Sequence, residues 1–201
     1  MPDTGAPWNI PYVENADLVS DWPADSLLVA NAVAAGLSAA GNAGIGSAVV
    51  STIKTDTFST ASGTYTGITG LTAAITPTTA TSKILIIVQC TWSTTNANGD
   101  GVHVRLSGGN TATYIGDAGT GQIQSVFGGR ITSTDNSKQS WALPSTLVYL
   151  DSPATTSSTT YGVEVRHTGS GTFYLNRSST DEASNLGSRG ASSITVIEVA
   201  V

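Results

Sequence analysis

One run in this sequence restricts the fold more than any other: Ser82-Lys-Ile-Leu-Ile-Ile-Val-Gln-Cys-Thr-Trp92, apolar at most positions and rich in β-branched residues. In an extended strand successive side chains alternate between faces, so Ile84, Ile86, Val88, Cys90 and Trp92 share one face while Leu85 and Ile87 take the other. Both faces are therefore expected to lie under protein. Turn-forming stretches bound the run, Pro77 to Ser82 before it and Thr94 to Gly101 after it, which limits it to a strand. The rest of the chain must supply the strands that cover it.

It does so. Strands are expected near Val49 to Ser59, Thr64 to Thr76, Lys83 to Ser93, Val102 to Ser107 and Thr111 to Gly116. Further strands are expected near Gln122 to Thr132, Gln139 to Leu150, Thr159 to Thr168, Thr172 to Arg177 and Ser192 to Val201. Alternation is clearest in Val102-His-Val-Arg-Leu106 and Tyr161-Gly-Val-Glu-Val-Arg166, whose polar partners face outward. No helical pattern separates these runs. The expected class is mainly β, an antiparallel jelly-roll-like β-sandwich, preceded by an extended N-terminal arm and one short helix.

The front of the chain is built differently. Trp8, Ile10 and Tyr12 alternate, while Pro7 and Pro11 exclude a helix and make residues 1 to about 15 an extended arm; the three apolar side chains are candidates to anchor in a groove, the alternative being that the arm folds back on its own domain. A helix is expected from Pro23 to about Leu37, with Pro23 suited to the first turn and Asp25 complementing its positive dipole end. Its body is apolar nearly all round. Leu27, Ala30, Ala34 and Leu37 follow the spacing of a short coiled-coil seam with Asn31 beside it, so the helix is expected to pack on the sandwich or, in preference, on copies of itself. The Gly-rich tether Gly41-Asn-Ala-Gly-Ile-Gly46 follows, dividing an attachment and oligomerisation segment, 1–46, from a sandwich domain, 47–201.

Charge narrows the partners. Charged residues make up 11% of the chain and sum to −6, which argues against binding a phosphate backbone, because that needs clustered Lys and Arg. Nucleic acid is not an expected partner. No run is long enough to insert in a membrane, and the opening residues lack the basic and apolar regions of a signal peptide, so synthesis in a cytoplasm is expected. The single cysteine, Cys90, lies inside the core strand, leaving stability to packing and assembly.

Reactive groups are few. Gly41 to Gly46 and Gly116 to Gly121 have the wrong order of strand, loop and helix for a phosphate cradle. Asn96, Asn98 and Asp100 sit at alternate positions like the first half of a calcium loop, but Ser107 stands where the bidentate Glu belongs, and a hairpin connection explains the same residues. His103 and His167 alternate with core residues, so both are expected to face solvent or a neighbouring subunit. No nucleophile elbow or zinc spacing occurs, so no enzyme and no cofactor are expected. Among the aromatics Trp92, Tyr114, Trp141, Tyr149, Tyr161 and Tyr174, most belong to the core; Trp141 and Tyr174, with His103 and Arg105, are the candidates for surface binding, for example to sugar rings.

Several phrases, taken together and in order, resemble a family of tailed-bacteriophage virion proteins of the tail-fibre or structural kind. They are Thr55-Asp-Thr-Phe-Ser-Thr60, Thr69-Gly-Leu-Thr-Ala-Ala-Ile-Thr-Pro77, Ser82-Lys-Ile-Leu-Ile86, Leu150-Asp-Ser-Pro153 and Ala191-Ser-Ser-Ile-Thr-Val-Ile-Glu198. Gly5-Ala-Pro-Trp-Asn-Ile-Pro-Tyr12 and Asp21-Trp-Pro23 resemble the attachment ends of phage fibres. The resemblance implies a homotrimeric virion appendage assembled in the bacterial cytoplasm, its N-terminus docked on other virion proteins of the tail or capsid and its sandwich contacting a host-surface glycan or protein. A capsid decoration or head-fibre protein is the second reading, and a non-viral carbohydrate-binding module the third.

Overall fold

In the computed structural model of the protein, residues 22–41, 45–95, 101–117, 119–130, 142–181, 183 and 187–199 are described. The chain divides into two compact units, Met1–Gly46 and Ser47–Val201. In the first, α1 spans Trp22–Gly41, four residues beyond the expected end, where Ala39 and Ala40 favour helix and Gly41 ends it. Leu27, Leu28 and Val33 are exposed on it, as are Ala30, Asn31 and Ala34. The side chain of Leu37 lies outside the described residues. The expected docking residues Trp8, Ile10 and Tyr12 do so as well.

The second unit contains β1 (Ile45–Lys54), β2 (Phe58–Thr60), β3 (Thr66–Ile75), β4 (Lys83–Thr94) and β5 (Gly101–Ser107). Then follow β6 (Phe127–Arg130), β7 (Leu143–Asp151), β8 (Thr159–Thr168), β9 (Phe173–Leu175) and β10 (Ser192–Val199). Four of the pairings nest inside one another: β1 with β10, β3 with β8, β4 with β7 and β5 with β6. That is the pattern of one long antiparallel hairpin rolled up on itself, which places β1-β10-β4-β7 in one sheet and β3-β8-β5-β6 in the other. The protein is a two-sheet antiparallel β-sandwich with jelly-roll wiring. The short strands β9 and β2 extend the first sheet from Trp92 onward, where β9 pairs with β4 past Gln89, the last residue paired with β10.

Between the sheets lie the even-numbered residues of β4 and β10 and the odd-numbered residues of β8. Ile84, Ile86, Val88, Ile194, Val196 and Val165 are fully buried. In β3 the alternation shifts: Ile68 and Leu71 both face the core because the register with β8 slips between Gly67 and Thr72, with Gly70 at φ +79°. Trp92 closes one end, stacked on Phe173 at 6.1 Å with its indole N–H donated to Ser145 Oγ at 2.9 Å. Pro144 sits in β7, whose pairing among the described residues is to β4 alone, and a sheet edge is where a missing N–H is tolerated.

Buried polar groups hold the corners. Glu198, at the end of β10, accepts from the Thr78 amide at 2.7 Å and the Thr78 hydroxyl at 2.6 Å. Burial disfavours its charge, but the hydroxyls of Thr78 and Ser82 and the Thr78 amide outweigh that and hold its pKa below the usual value. Asp151, at the end of β7, accepts from the Tyr161 hydroxyl at 2.7 Å and from the Asn110 amide at 3.2 Å. Asn176, at φ +60°, donates its side-chain amide to the carbonyls of Lys54 and Asp56.

These anchors explain where expectation and structure part. Val49 to Ser59 is not one strand: Asn176 captures the backbone at residues 54 and 56, and Lys54 turns in to pair with Asp56 at 2.6 Å, so pairing stops and resumes at β2. Thr111 to Gly116 is not a strand either. Gly108 and Gly109 reverse the chain at φ +93° and +51°, Thr111 donates both its amide and its hydroxyl to the Gly108 carbonyl across that reversal, and the Tyr114 N–H donates to the Thr111 carbonyl at 2.9 Å, closing a 3-10 turn over Thr111–Thr113. Finally, β4 is roofed on one face only. Leu85 and Ile87 are half-buried, and their neighbours Val148 and Leu150 are exposed.

Candidate functional site

The outer face of the four-stranded sheet gathers the polar side chains that alternation forces out of the core. Register sets His103 opposite Arg166 and Gly128, Arg105 opposite Glu164, and Gly101 opposite Thr168. Arg105 donates its Nε–H to Glu164 Oε2 at 2.7 Å and lays its guanidinium over the Tyr65 ring at 4.0 Å. Packing against the ring fixes the fork of the arginine, and the ion pair fixes its direction. The result is a ridge, Tyr65–Arg105–Glu164, across the middle of the sheet.

A loop over residues 116–125 is fastened at its base by Gly116 N–H to the Ser125 carbonyl at 3.0 Å and by the Gln124 side-chain amide to the Gly116 carbonyl at 3.0 Å. The Tyr65 hydroxyl donates to the Gln124 carbonyl, tying this loop to the ridge. Between loop and sheet lies an open groove of about 660 Å³, lined by His103, Gln122, Ile123, Ser125 and Thr168 over a floor of Gly101, Gly128 and Gly129. The glycine at 128 is required by space: a Cβ there would stand 2.9 Å from the Val102 carbonyl and 3.1 Å from His103 Nδ1. A smaller depression of about 290 Å³ lies on the other side of the ridge, against Arg105, Ser107 and Glu164.

His103 is held neutral at pH 7. Burial lowers its pKa, and the positive charge of Arg166 and the neighbouring His167 push the same way. The groove therefore offers a neutral imidazole, two hydroxyls and a carboxamide, a mixture of donors and acceptors suited to the hydroxyls of a sugar or to peptide groups. One carboxylate, Glu164, borders the smaller depression and is occupied by Arg105.

Of the expected surface residues, the structure brings His103 and Arg105 to this face. Tyr174 is elsewhere: it lies on β9 with the Arg177 guanidinium 3.9 Å over its ring, and Arg177 in turn pairs with Asp181 at 2.9 Å. Trp141, Asn96, Asn98 and Asp100 lie outside the described residues. His167 reverses its expectation. Counting from Tyr161, every second residue of β8 faces inward, and His167 shares that parity; it is fully buried, with Nε2 3.0 Å from the Thr94 hydroxyl. Tyr65, Glu164, Gln122 and Thr168 are not among the expected surface-binding residues. Opposite charge at Arg105 and Glu164 is visible in the sequence, but their adjacency depends on the register of β5 and β8.

No protein-family profile matches the chain, and no curated protein does. Among solved structures it is similar to the infectious bursal disease virus VP2 subviral particle, at 15% identity and a TM-score of 0.32, over 77% of this chain and 37% of that one. The chain spans little more than a third of that structure, and a likeness this slight carries no argument about role.

Proposed function

We propose that the protein is a structural component of a virion, and within that class a tail-fibre-like appendage of a bacteriophage. The N-terminal segment docks on the particle and joins copies, forming a homotrimer; the sandwich turns its polar four-stranded face to the host surface. The observation that carries the reading is α1. Twenty residues of helix bear exposed Leu27, Leu28 and Val33 and scarcely a polar side chain, a surface that water does not tolerate alone and that association buries. The quoted phage-like phrases support the virion class, and the groove beside His103 supports a ligand of sugar or peptide chemistry. Binding, not turnover, is the proposed role of that groove.

Purified protein added to host cells tests this. It is expected to compete with virus particles for adsorption, and His103→Ala with Gln122→Ala is expected to weaken that competition about tenfold or more, the scale of losing two or three hydrogen bonds at a binding site. Antibody against the chain is expected to label the tail. Labelling spread over the capsid, with adsorption intact, would replace the appendage by a decoration protein.

A further inference from the structure

The outer face of the six-stranded sheet is apolar, where the outer strands of a sandwich ordinarily alternate to polar residues. Register sets Leu85 between Ile197 and Leu150, and Ile87 between Thr195 and Val148. Beyond β10, Ser51 on β1 meets the Thr195 hydroxyl at 2.9 Å, which puts Val49 and Ile53 on the same face. Val49, Ile53, Val148 and Leu150 are 57%, 69%, 52% and 45% exposed. Together these residues make one apolar band four strands wide.

Two features of the band say what covers it. The first is charge: among the outward positions of β1, β10, β4 and β7, Lys83 at one end is the single charged residue, and the others are apolar, hydroxyl or amide. In a chain of net charge −6, a face that meets its own copy confronts identical charges and must be nearly free of them, whereas a different partner can meet charge with opposite charge. The second is size. Four strands about 4.8 Å apart and eight residues of about 3.3 Å give roughly 500 Å² in projection, and side-chain relief brings this towards the ~800 Å² per partner of a standard interface. A single helix, about 10 Å across, would leave half of that ~19 Å width wet. A second sheet matches it.

We propose that this face packs, sheet against sheet, on the same face of a second copy, a two-fold contact between sandwich domains additional to the three-fold contact assigned to α1. The contact is separate from α1, and it leaves the groove on the opposite sheet free. It stands whether or not the particle is a phage.

The test uses the full chain. The dissociation constant between copies is measured by sedimentation for wild type and for Val148→Asp with Leu150→Asp, positions exposed enough to keep the fold, which circular dichroism verifies. The double variant is expected to dissociate at a concentration about tenfold higher or more, because two desolvated like charges per copy oppose the contact. An unchanged constant overturns the proposal, as does a wild-type chain that stays monomeric at every concentration. Should the double variant fail to fold, Val148→Cys decides: Cys90 is buried, so the new thiol alone reacts with a bulky maleimide, and its rate is expected to fall about tenfold or more as copies associate. Equal protection in the dissociated chain would show that the chain's own residues 1–46 cover the face, and would also overturn the proposal.

Discussion

Replacing Glu198 by glutamine tests the reading that charge, not mere shape, locks the end of β10 to the turn before β4. Glu198 is fully buried and accepts two short hydrogen bonds from Thr78, at 2.7 and 2.6 Å. Hydrogen bonds to a charged acceptor are worth about 1.5–3 kcal/mol, against about 0.5–1.5 kcal/mol for neutral ones, so Glu198→Gln is expected to cost about 1–3 kcal/mol at pH 7. The sign with pH follows from the direction of the shift. The folded pKa of Glu198 lies below its ordinary value of 4.5, so the folded state favours the carboxylate. Its contribution is complete above that ordinary value and is lost as pH falls through the lower, folded one. Urea unfolding of wild type and variant, followed by tryptophan fluorescence between pH 3 and 7, is the assay. The two midpoints are expected to differ at pH 7 and to converge at the acid end, where wild type also carries a protonated side chain. A gap that stays constant across that range would refute the charge argument and leave only a steric one.

Three further outcomes follow from the same packing. Cys90 is 2% exposed and burial pushes its pKa up to about 12, so a thiol reagent at pH 8 is expected to find no reactive group in the native chain and one after unfolding in urea. Ile86 is fully buried at the centre of β4, and Ile86→Ala is expected to cost about 2–5 kcal/mol in the same urea assay, a loss under about 1 kcal/mol counting against its place in the core. Gly108→Ala and Gly121→Ala both force a side chain onto positive φ, but the first Cβ would lie 2.0 Å from the Thr160 carbonyl and the second meets nothing within 4 Å. Thermal melts are expected to show a loss near 1 kcal/mol at Gly121 and a much larger one at Gly108.

Periodicity told the fold and stopped short of the surface. β4 and β8 were readable because a continuous apolar run and a clean alternation are local properties of the chain. β8 emerged with the expected bounds, Thr159–Thr168. His167 was misplaced although the pattern that begins at Tyr161 already assigns it inward; a polar residue at a core parity is accommodated by a distant hydroxyl, Thr94, that no local rule anticipates. The break at Lys54 is equally non-local, since it depends on Asn176, 122 residues away. The ridge of Tyr65, Arg105 and Glu164 joins β5, β8 and the residue just before β3, and no window of sequence contains it.

The phage-like phrases bear on this division. Ser82-Lys-Ile-Leu-Ile86, Leu150-Asp-Ser-Pro153 and Ile194-Thr-Val-Ile-Glu198 contain buried Ser82, Asp151 and Glu198, the polar anchors that hold strand ends and turns in place. Such residues are dictated by the roll of the hairpin, so the phrases carry information about how the sandwich closes. The groove residues His103, Gln122, Ser125 and Thr168 lie outside every one of them. A protein sharing the phrases is therefore expected to share the sandwich while differing in the groove, and exchanging residues 119–130 between two such chains is expected to transfer ligand preference without moving the melting temperature by more than about 3 °C, the scale of roughly 1 kcal/mol in a domain of this size.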